Sequence, residues 1–278
     1  MKSLWVAIPD SVVSEQKGPR EKTEKLGYIA RACVIFGVEK IFVYSDPDRY
    51  HRRDRDLILN VLKYVETPQY LRKKLFSITR ELSYAGILPP LKIPSHKERV
   101  NAKEITNGEI REAVLEDVKG RLYADVGLDV LIPFEGKGRH GERLTVKIRG
   151  EYPNLRCLRV EKGEVEDYWG YEVKSVGALE KLIASVKADC VLLTSRYGRN
   201  VHNVWDEFVN KTSSADRMLV VFGSPRKGLL EILSREWIEK CDLALINMIP
   251  GQKVETIRTE EALLATLAIL NLANRLGR

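Results

Sequence analysis

Three apolar runs in the last third of the chain each end in a loop of small and polar residues. They are Leu193-Thr194-Ser195-Arg196-Tyr197-Gly198, Phe222-Gly223-Ser224-Pro225-Arg226-Lys227-Gly228 and Ile246-Asn247-Met248-Ile249-Pro250-Gly251-Gln252-Lys253. In open parallel sheets ligands bind at the carboxyl ends of the strands, so three such ends can line one crevice. Gly223 and Gly251 carry no Cβ, which lets main chain approach a ligand closely. Backbone N–H and C=O groups can then hold an adenine, with Phe222, Met248 and Ile249 covering its faces. Any one of these loops is also an ordinary strand-to-helix turn; three in succession favour the crevice.

The third loop leads into Glu255-Thr256-Ile257-Arg258-Thr259-Glu260-Glu261-Ala262. Thr259 is the expected N-cap of a helix, with Glu260 and Glu261 at its positive end. Arg258 sits just before that cap. It is placed to bind a phosphate or orient a base, or else to pair with Glu255 or Glu261. None of these loops carries GxGxxG, and GxxxxGK[ST] does not occur, so conventional dinucleotide and P-loop sites are not indicated at them. Lys227 follows Arg226 between two glycines, but at the wrong spacing for a Walker loop.

These loops need elements to hold them. Leu4–Ile8 reads as a buried strand, and Glu21–Phe36 as a helix with Leu26, Ile29, Ala30, Cys33 and Val34 on one face. Gly37 ends that helix, and Lys40–Tyr44 forms a second strand. Leu57–Val65 is helical, and Pro68 opens a basic helix through Leu75. This alternation predicts a parallel sheet covered on both faces. From about Ile110 to Tyr171 the texture changes to short strands about ten residues apart. Their turn signals are Lys119-Gly120, Gly127, Gly136-Lys137-Gly138, Gly141 and Gly150. That predicts a small antiparallel, OB-like β-barrel. The α/β texture then resumes with a helix over Val176–Val186. Strands follow at Asp189–Thr194, Met218–Phe222 and Cys241–Ile246, and a long helix at Thr259–Leu276. The expected organisation is one α/β domain, residues 1–92 and 170–278, interrupted by a barrel over 93–169.

Composition narrows the classes. The 278 residues are 44% hydrophobic and 31% charged, with a formal net charge of +7. No apolar run approaches the roughly 20 residues of a membrane span. Residues 1–9 are too short for a secretory core and lack a cleavage signature, so a cytoplasmic protein is expected. Cys33, Cys157, Cys190 and Cys241 form no CxxC pair, and four scattered histidines suggest no metal site. The positive excess sits early, with 17 Lys and Arg against 11 Asp and Glu over residues 1–94. Arg49, Arg52, Arg53, Arg55 and Arg72-Lys73-Lys74, with Tyr50, Tyr64 and Tyr70 among them, suit a nucleic-acid backbone. A solvated helix face, helped by Asp54 and Asp56, is the alternative.

Taken together, the Gly223 turn, the Asn247-Met248-Ile249-Pro250-Gly251-Gln252 loop and the Thr256-Ile257-Arg258-Thr259-Glu260-Glu261-Ala262 helix start resemble the SPOUT superfamily of α/β-knot methyltransferases. The runs Ile29-Ala30-Arg31-Ala32-Cys33-Val34-Ile35-Phe36 and Tyr64-Val65-Glu66-Thr67-Pro68-Gln69-Tyr70-Leu71-Arg72-Lys73 resemble its archaeal and eukaryotic branch, which has an OB-like domain inserted in the knot domain. The resemblance covers essentially the whole chain. It implies a deep trefoil knot near the C-terminus, a homodimer, and S-adenosylmethionine (SAM) bound within the knot. It places Thr194, Gly223, Asn247, Ile249, Gly251, Thr256 and Ile257 at the SAM site. Arg258 and Arg196 are the candidates for orienting the substrate, and Arg52, Arg53, Arg72 and Lys73 for binding RNA. The implied activity is methylation of RNA, most of all a base in ribosomal RNA, that is single-stranded or opened. Methylating uridine N3 would also need a base for its proton, such as Glu255 or a water. The competing reading is a ribosome-assembly factor that binds RNA and catalyses little. A small-metabolite enzyme would require a phosphate cradle that the sequence lacks.

Overall fold

A computed structural model describes residues 3–47 and 52–277. Arg49 and Tyr50 of the early basic run lie outside the described residues. The elements run β1 (Ser3–Pro9), α1 (Pro19–Ile35), β2 (Val38–Tyr44), α2 (Arg52–Glu66) and α3 (Gln69–Leu75). Then come β3 (Ile110–Val118), β4 (Arg121–Asp125), β5 (Ile132–Glu135), β6 (Arg143–Arg149) and β7 (Arg156–Arg159). The last part holds β8 (Glu172–Ser175), α4 (Leu179–Ser185), β9 (Cys190–Asn200), α5 (Trp205–Ser214), β10 (Arg217–Val221), α6 (Leu229–Ile232), α7 (Arg235–Glu239), β11 (Leu243–Asn247) and α8 (Thr259–Leu276). The chain divides into two compact units: Met1–Lys63, Glu81–Pro89 and Tyr171–Arg278 form the first, and Tyr64–Arg80 with Pro90–Gly170 the second.

The first unit is built on a six-stranded sheet in the order β11-β9-β10-β1-β2-β8, with every neighbouring pair parallel. Its inner strands are continuous apolar runs, as strands covered on both faces must be; β1 and β10 are buried almost throughout. Trp5, Ala7, Phe42, Leu193, Leu219 and Val221 belong to one core cluster. Pro19 opens α1, and the positive φ of Gly37 (69°) ends the segment after it. α8 packs against α1 and α5.

Pairing is irregular at the β11 edge of this sheet. Leu243 of β11 sits opposite Leu192 of β9, yet Ile246 sits opposite Arg199, so β9 takes up seven residues where β11 takes three. The surplus arches out between Leu193 and Gly198. A Cβ on Gly198 would lie 1.8 Å from the carbonyl oxygen of Leu245, so only glycine fits this contact. β9 therefore extends well past the Thr194 at which the apolar pattern ends.

The second unit is a closed five-stranded barrel in the order β3-β4-β5-β7-β6, the OB-like module expected. β5 and β7 pair in parallel, which departs from the purely antiparallel expectation; the other pairs are antiparallel. Leu115, Val126, Ile132, Val146 and Cys157 fill its interior. Beside that core lies a buried polar cluster. Arg143 bonds the Glu66 carboxylate at 2.8 and 3.2 Å and the Glu112 carboxylate at 2.6 Å. Glu112 also accepts from Thr145 at 2.6 Å and Trp169 at 2.7 Å. Among the described residues no helix is long and apolar enough to cross a membrane.

Candidate active site at three strand ends

A cavity of about 880 Å³ opens in the first unit at the carboxyl ends of β9, β10 and β11. That lies within the roughly 300–1,000 Å³ of small-molecule sites. The β9 arch supplies Thr194 to Tyr197, the turn after β10 supplies Phe222 to Gly228, and the segment after β11 supplies Asn247, Met248 and Ile249. The start of α8 closes the ring with Thr256 to Thr259.

Two of the polar side chains expected here are spent on holding the loops. The Thr194 hydroxyl donates to the Val221 carbonyl at 2.8 Å, tying the β9 arch to β10. The Asn247 amide donates to the Arg196 carbonyl at 3.0 Å, and its oxygen accepts from the Ile249 N–H at 3.0 Å. Asn247 thus fixes two walls at once. Phe222 and Met248 are buried, and Ile249 and Ile257 half-buried. A Cβ on Gly223 would meet the Lys227 carbonyl oxygen at 3.1 Å, inside its own turn. Gly251 does not line the cavity; its φ of 72° makes the turn beyond Pro250, with open space around it.

The two arginines differ in freedom. Arg196 donates to the Glu255 carbonyl and the Tyr197 hydroxyl, with its guanidinium 4.6 Å from the Tyr197 ring centre. Arg258 lines the cavity, is exposed, and among the described residues its guanidinium pairs with neither Glu255 nor Glu261. Its backbone explains the helix start. Arg258, not Thr259, occupies the cap position, and its N–H donates to the Glu261 carboxylate at 2.9 Å. Glu260 instead faces the buried Lys25, 3.0 Å away.

Three features escaped the sequence reading. Glu15 and Gln16, from the segment after β1, also line the cavity. The signal existed, since β1 is itself a strand of the parallel sheet with a carboxyl end. The third is Tyr44: fully buried at the end of β2, it donates its hydroxyl to the Phe222 carbonyl at 2.7 Å.

The early basic run divides in the same manner. Arg52, Arg53 and Lys73 are exposed. Arg55 bonds the fully buried Asp10 at 2.6 and 3.1 Å. Arg72 donates to the carbonyls of Thr67 at 2.8 Å and Val65 at 3.2 Å, with its guanidinium 4.7 Å from the Tyr64 ring centre. Lys74 pairs with Glu116 and Asp125. All four cysteines are buried free thiols; burial raises Cys190 to about 12 and Cys241 to about 11. Among the described residues no group of three or more His, Cys, Asp or Glu is gathered for a metal.

A parallel sheet with a cavity of small-molecule size at its strand ends, in a chain that also carries an OB-like barrel, suits an enzyme acting on nucleic acid, though fold alone does not assign one. Comparison with known proteins makes this specific. The family described as "Putative RNA methyltransferase" matches residues 3–270, and the chain belongs to it. This bears out the SPOUT resemblance and makes the chain an RNA methyltransferase. Among its relatives is an uncharacterized protein of Haloarcula marismortui, 31% identical over 96% of this chain and 98% of its own length. The 28S rRNA (uridine-N(3))-methyltransferase of Drosophila melanogaster is 30% identical over 96% of this chain and 61% of its own length. The human protein of that name is 28% identical over 96% of this chain and 77% of its own length.

Proposed function

We propose that this chain transfers a methyl group from SAM to N3 of a uridine in ribosomal RNA. The observation that carries the cofactor is the cavity: main chain from three strand ends, with Phe222, Met248, Ile249 and Ile257 at its walls. That lining fits an adenosine, whose ring needs apolar faces and main-chain partners along its edge. Thr194, Gly223, Asn247, Ile249, Thr256 and Ile257 build the walls that would hold it, and Gly251 the turn that returns the chain. SAM supplies an electrophilic methyl on a sulfonium, already activated. The chain must then hold the acceptor in line and let the N3 proton leave. Arg258, at the rim with its guanidinium exposed, orients the acceptor nucleotide, and Arg196 holds the Glu255 main chain beside it. The uridine comes from the names of the relatives.

The barrel unit, Tyr64–Arg80 with Pro90–Gly170, serves as the RNA-binding part, and the parallel-sheet unit as the discontinuous SAM-binding domain; residues 64–80 thus go with the barrel and not, as the sequence suggested, with the α/β domain. Arg52, Arg53 and Lys73 offer charge to the RNA backbone, while Arg72 orders its own turn. A trefoil knot in the C-terminal segment and a cytoplasmic setting belong to this reading. So does a homodimer. Leu264, Leu272 and Leu276 on α8 are 46, 53 and 63% exposed at helical spacing, and α8 packs on α1, whose Tyr28 and Ile35 are also exposed. The test is incubation of the purified chain with ribosomal RNA and labelled SAM, followed by nucleoside mass spectrometry. N3-methyluridine is the expected product. SAM binding without any methylated nucleoside would favour the assembly-factor reading instead.

A further inference from the structure

The barrel carries a concentration of charge far in sequence from every residue of the cavity. At one end the β3–β4 hairpin turns through Lys119 (φ 56°) and Gly120 (φ 80°), both left-handed. The Asp117 carboxylate accepts the Gly120 N–H at 2.8 Å, which spends the acid on the turn. The β5–β6 loop lies alongside. Its Gly141 N–H donates to the Leu115 carbonyl at 2.8 Å, and the Leu115 N–H donates to the Glu142 carbonyl at 2.9 Å. The Asp117 N–H donates to His140 Nδ1 at 3.3 Å. Two tips are thereby joined into one surface.

That surface holds Lys119, Arg121, Lys137 and Arg139, all exposed. Its other acid, Glu142, is engaged by the Arg159 guanidinium and the Arg139 N–H. Some other cations of this unit are spent on acids, Arg156 on Glu135, Arg111 on Glu109 and Lys74 on Glu116 and Asp125, while others such as Lys147 and Arg149 are exposed away from the two tips. Among the described residues none of the four tip side chains has an ion pair. Four cations on braced turns suit a row of phosphates, since little side-chain-bearing backbone remains to be ordered on binding.

We propose that these joined tips are a phosphate-contacting surface for the RNA substrate, with Lys119, Arg121, Lys137 and Arg139 as its contacts. The proposal rests on the chain being an RNA-binding enzyme. The loop between the first two strands of OB-type barrels is a recurrent nucleic-acid contact, and the β3–β4 turn occupies that position. Such contacts act through counterion release, so each adds about 0.7 to the logarithmic salt dependence on a single strand.

The experiment measures binding of the full chain to a single-stranded oligouridylate by fluorescence anisotropy across a salt series. The quadruple variant Lys119→Glu, Arg121→Glu, Lys137→Glu, Arg139→Glu is compared with the wild type. A quadruple glutamine variant decides the matter if reversal disturbs the fold by circular dichroism. The expected result is weaker binding, with the salt slope reduced by about three. An unchanged affinity and slope overturn the tip proposal while leaving RNA binding intact. Anionic phosphatidylserine vesicles are run in parallel; loss confined to vesicles also overturns it. A wild type that fails to bind RNA at low salt removes the RNA reading itself, and the tip proposal with it.

Discussion

Tyr44 and Arg258 both bear on the cavity. Tyr44 is buried and fixes the carbonyl of Phe222, a lining residue. Tyr44→Phe keeps the ring and loses the donor, leaving the Phe222 carbonyl without that partner. A neutral hydrogen bond contributes about 0.5–1.5 kcal/mol, so calorimetry should show SAM binding weakened about two- to tenfold. Unchanged affinity would mean the bond serves the fold alone. Arg258 faces outward at the rim. Arg258→Ala should leave SAM affinity within about twofold yet slow methyl transfer about a hundredfold, the usual cost of a misplaced acceptor. Equal losses in both would place Arg258 on the cofactor instead.

At the scale of elements, the β9 arch is the least regular piece of the sheet and the one that makes room for the cavity. Gly198→Ala forces a Cβ against the Leu245 carbonyl. Overpacking of this kind costs about 1–3 kcal/mol, so thermal unfolding should shift down by several degrees. The arch also shows where sequence reading stops. The apolar run to Thr194 was legible in the sequence, as were β1, β2, α1 and α8. The pairing of Arg199 with Ile246 was not, because polar edge residues carry no apolar period and register depends on the distant partner. β7 and β8, four residues each, are too short to show alternation. The three strand-end loops were readable together as a candidate site because they recur in succession, although each alone reads as an ordinary turn. Tyr44 was not readable, because its partner lies 178 residues away.

The polar cluster of the barrel unit gives that element a pH dependence. Arg143 is one cation between two acids. Burial would raise Glu112, but Arg143, Lys162 and the Thr145 and Trp169 donors outweigh it and hold Glu112 low. Burial raises Glu66 despite the same arginine. Burial also lowers His96 from its ordinary 6.5, and its Nε2 lies 2.7 Å from the Glu66 carbonyl. His96 and Glu112 prefer their deprotonated forms in the fold, so their stabilisation is full above the ordinary values and lost as pH falls. Glu66 works the other way, its contribution full below its ordinary 4.5 and lost as pH rises. As pH falls from 7 through the ordinary histidine value of 6.5, the contribution of His96 is progressively lost, so it should lower the thermal midpoint over that interval. His96→Gln should flatten the fall; an unaltered slope would assign it elsewhere.

For the whole molecule, the proposed function divides the work between two units: the parallel-sheet unit would carry the donor cavity and the barrel charge for RNA. The exposed leucines of α8 extend that account to a pair of chains. Leu272→Asp should convert a dimer to monomer in analytical ultracentrifugation, and a wild type that sediments as a monomer would remove the dimer from the account. The central claim is that the cavity between β9, β10 and β11 is the methyl-donor site. Titration calorimetry of SAM into the full chain tests it most directly, alongside the cavity-blocking variant Ile249→Arg. One saturable site per chain is expected, lost in the variant while the fold is retained. Absence of saturable binding, or binding undiminished by Ile249→Arg, would contradict it.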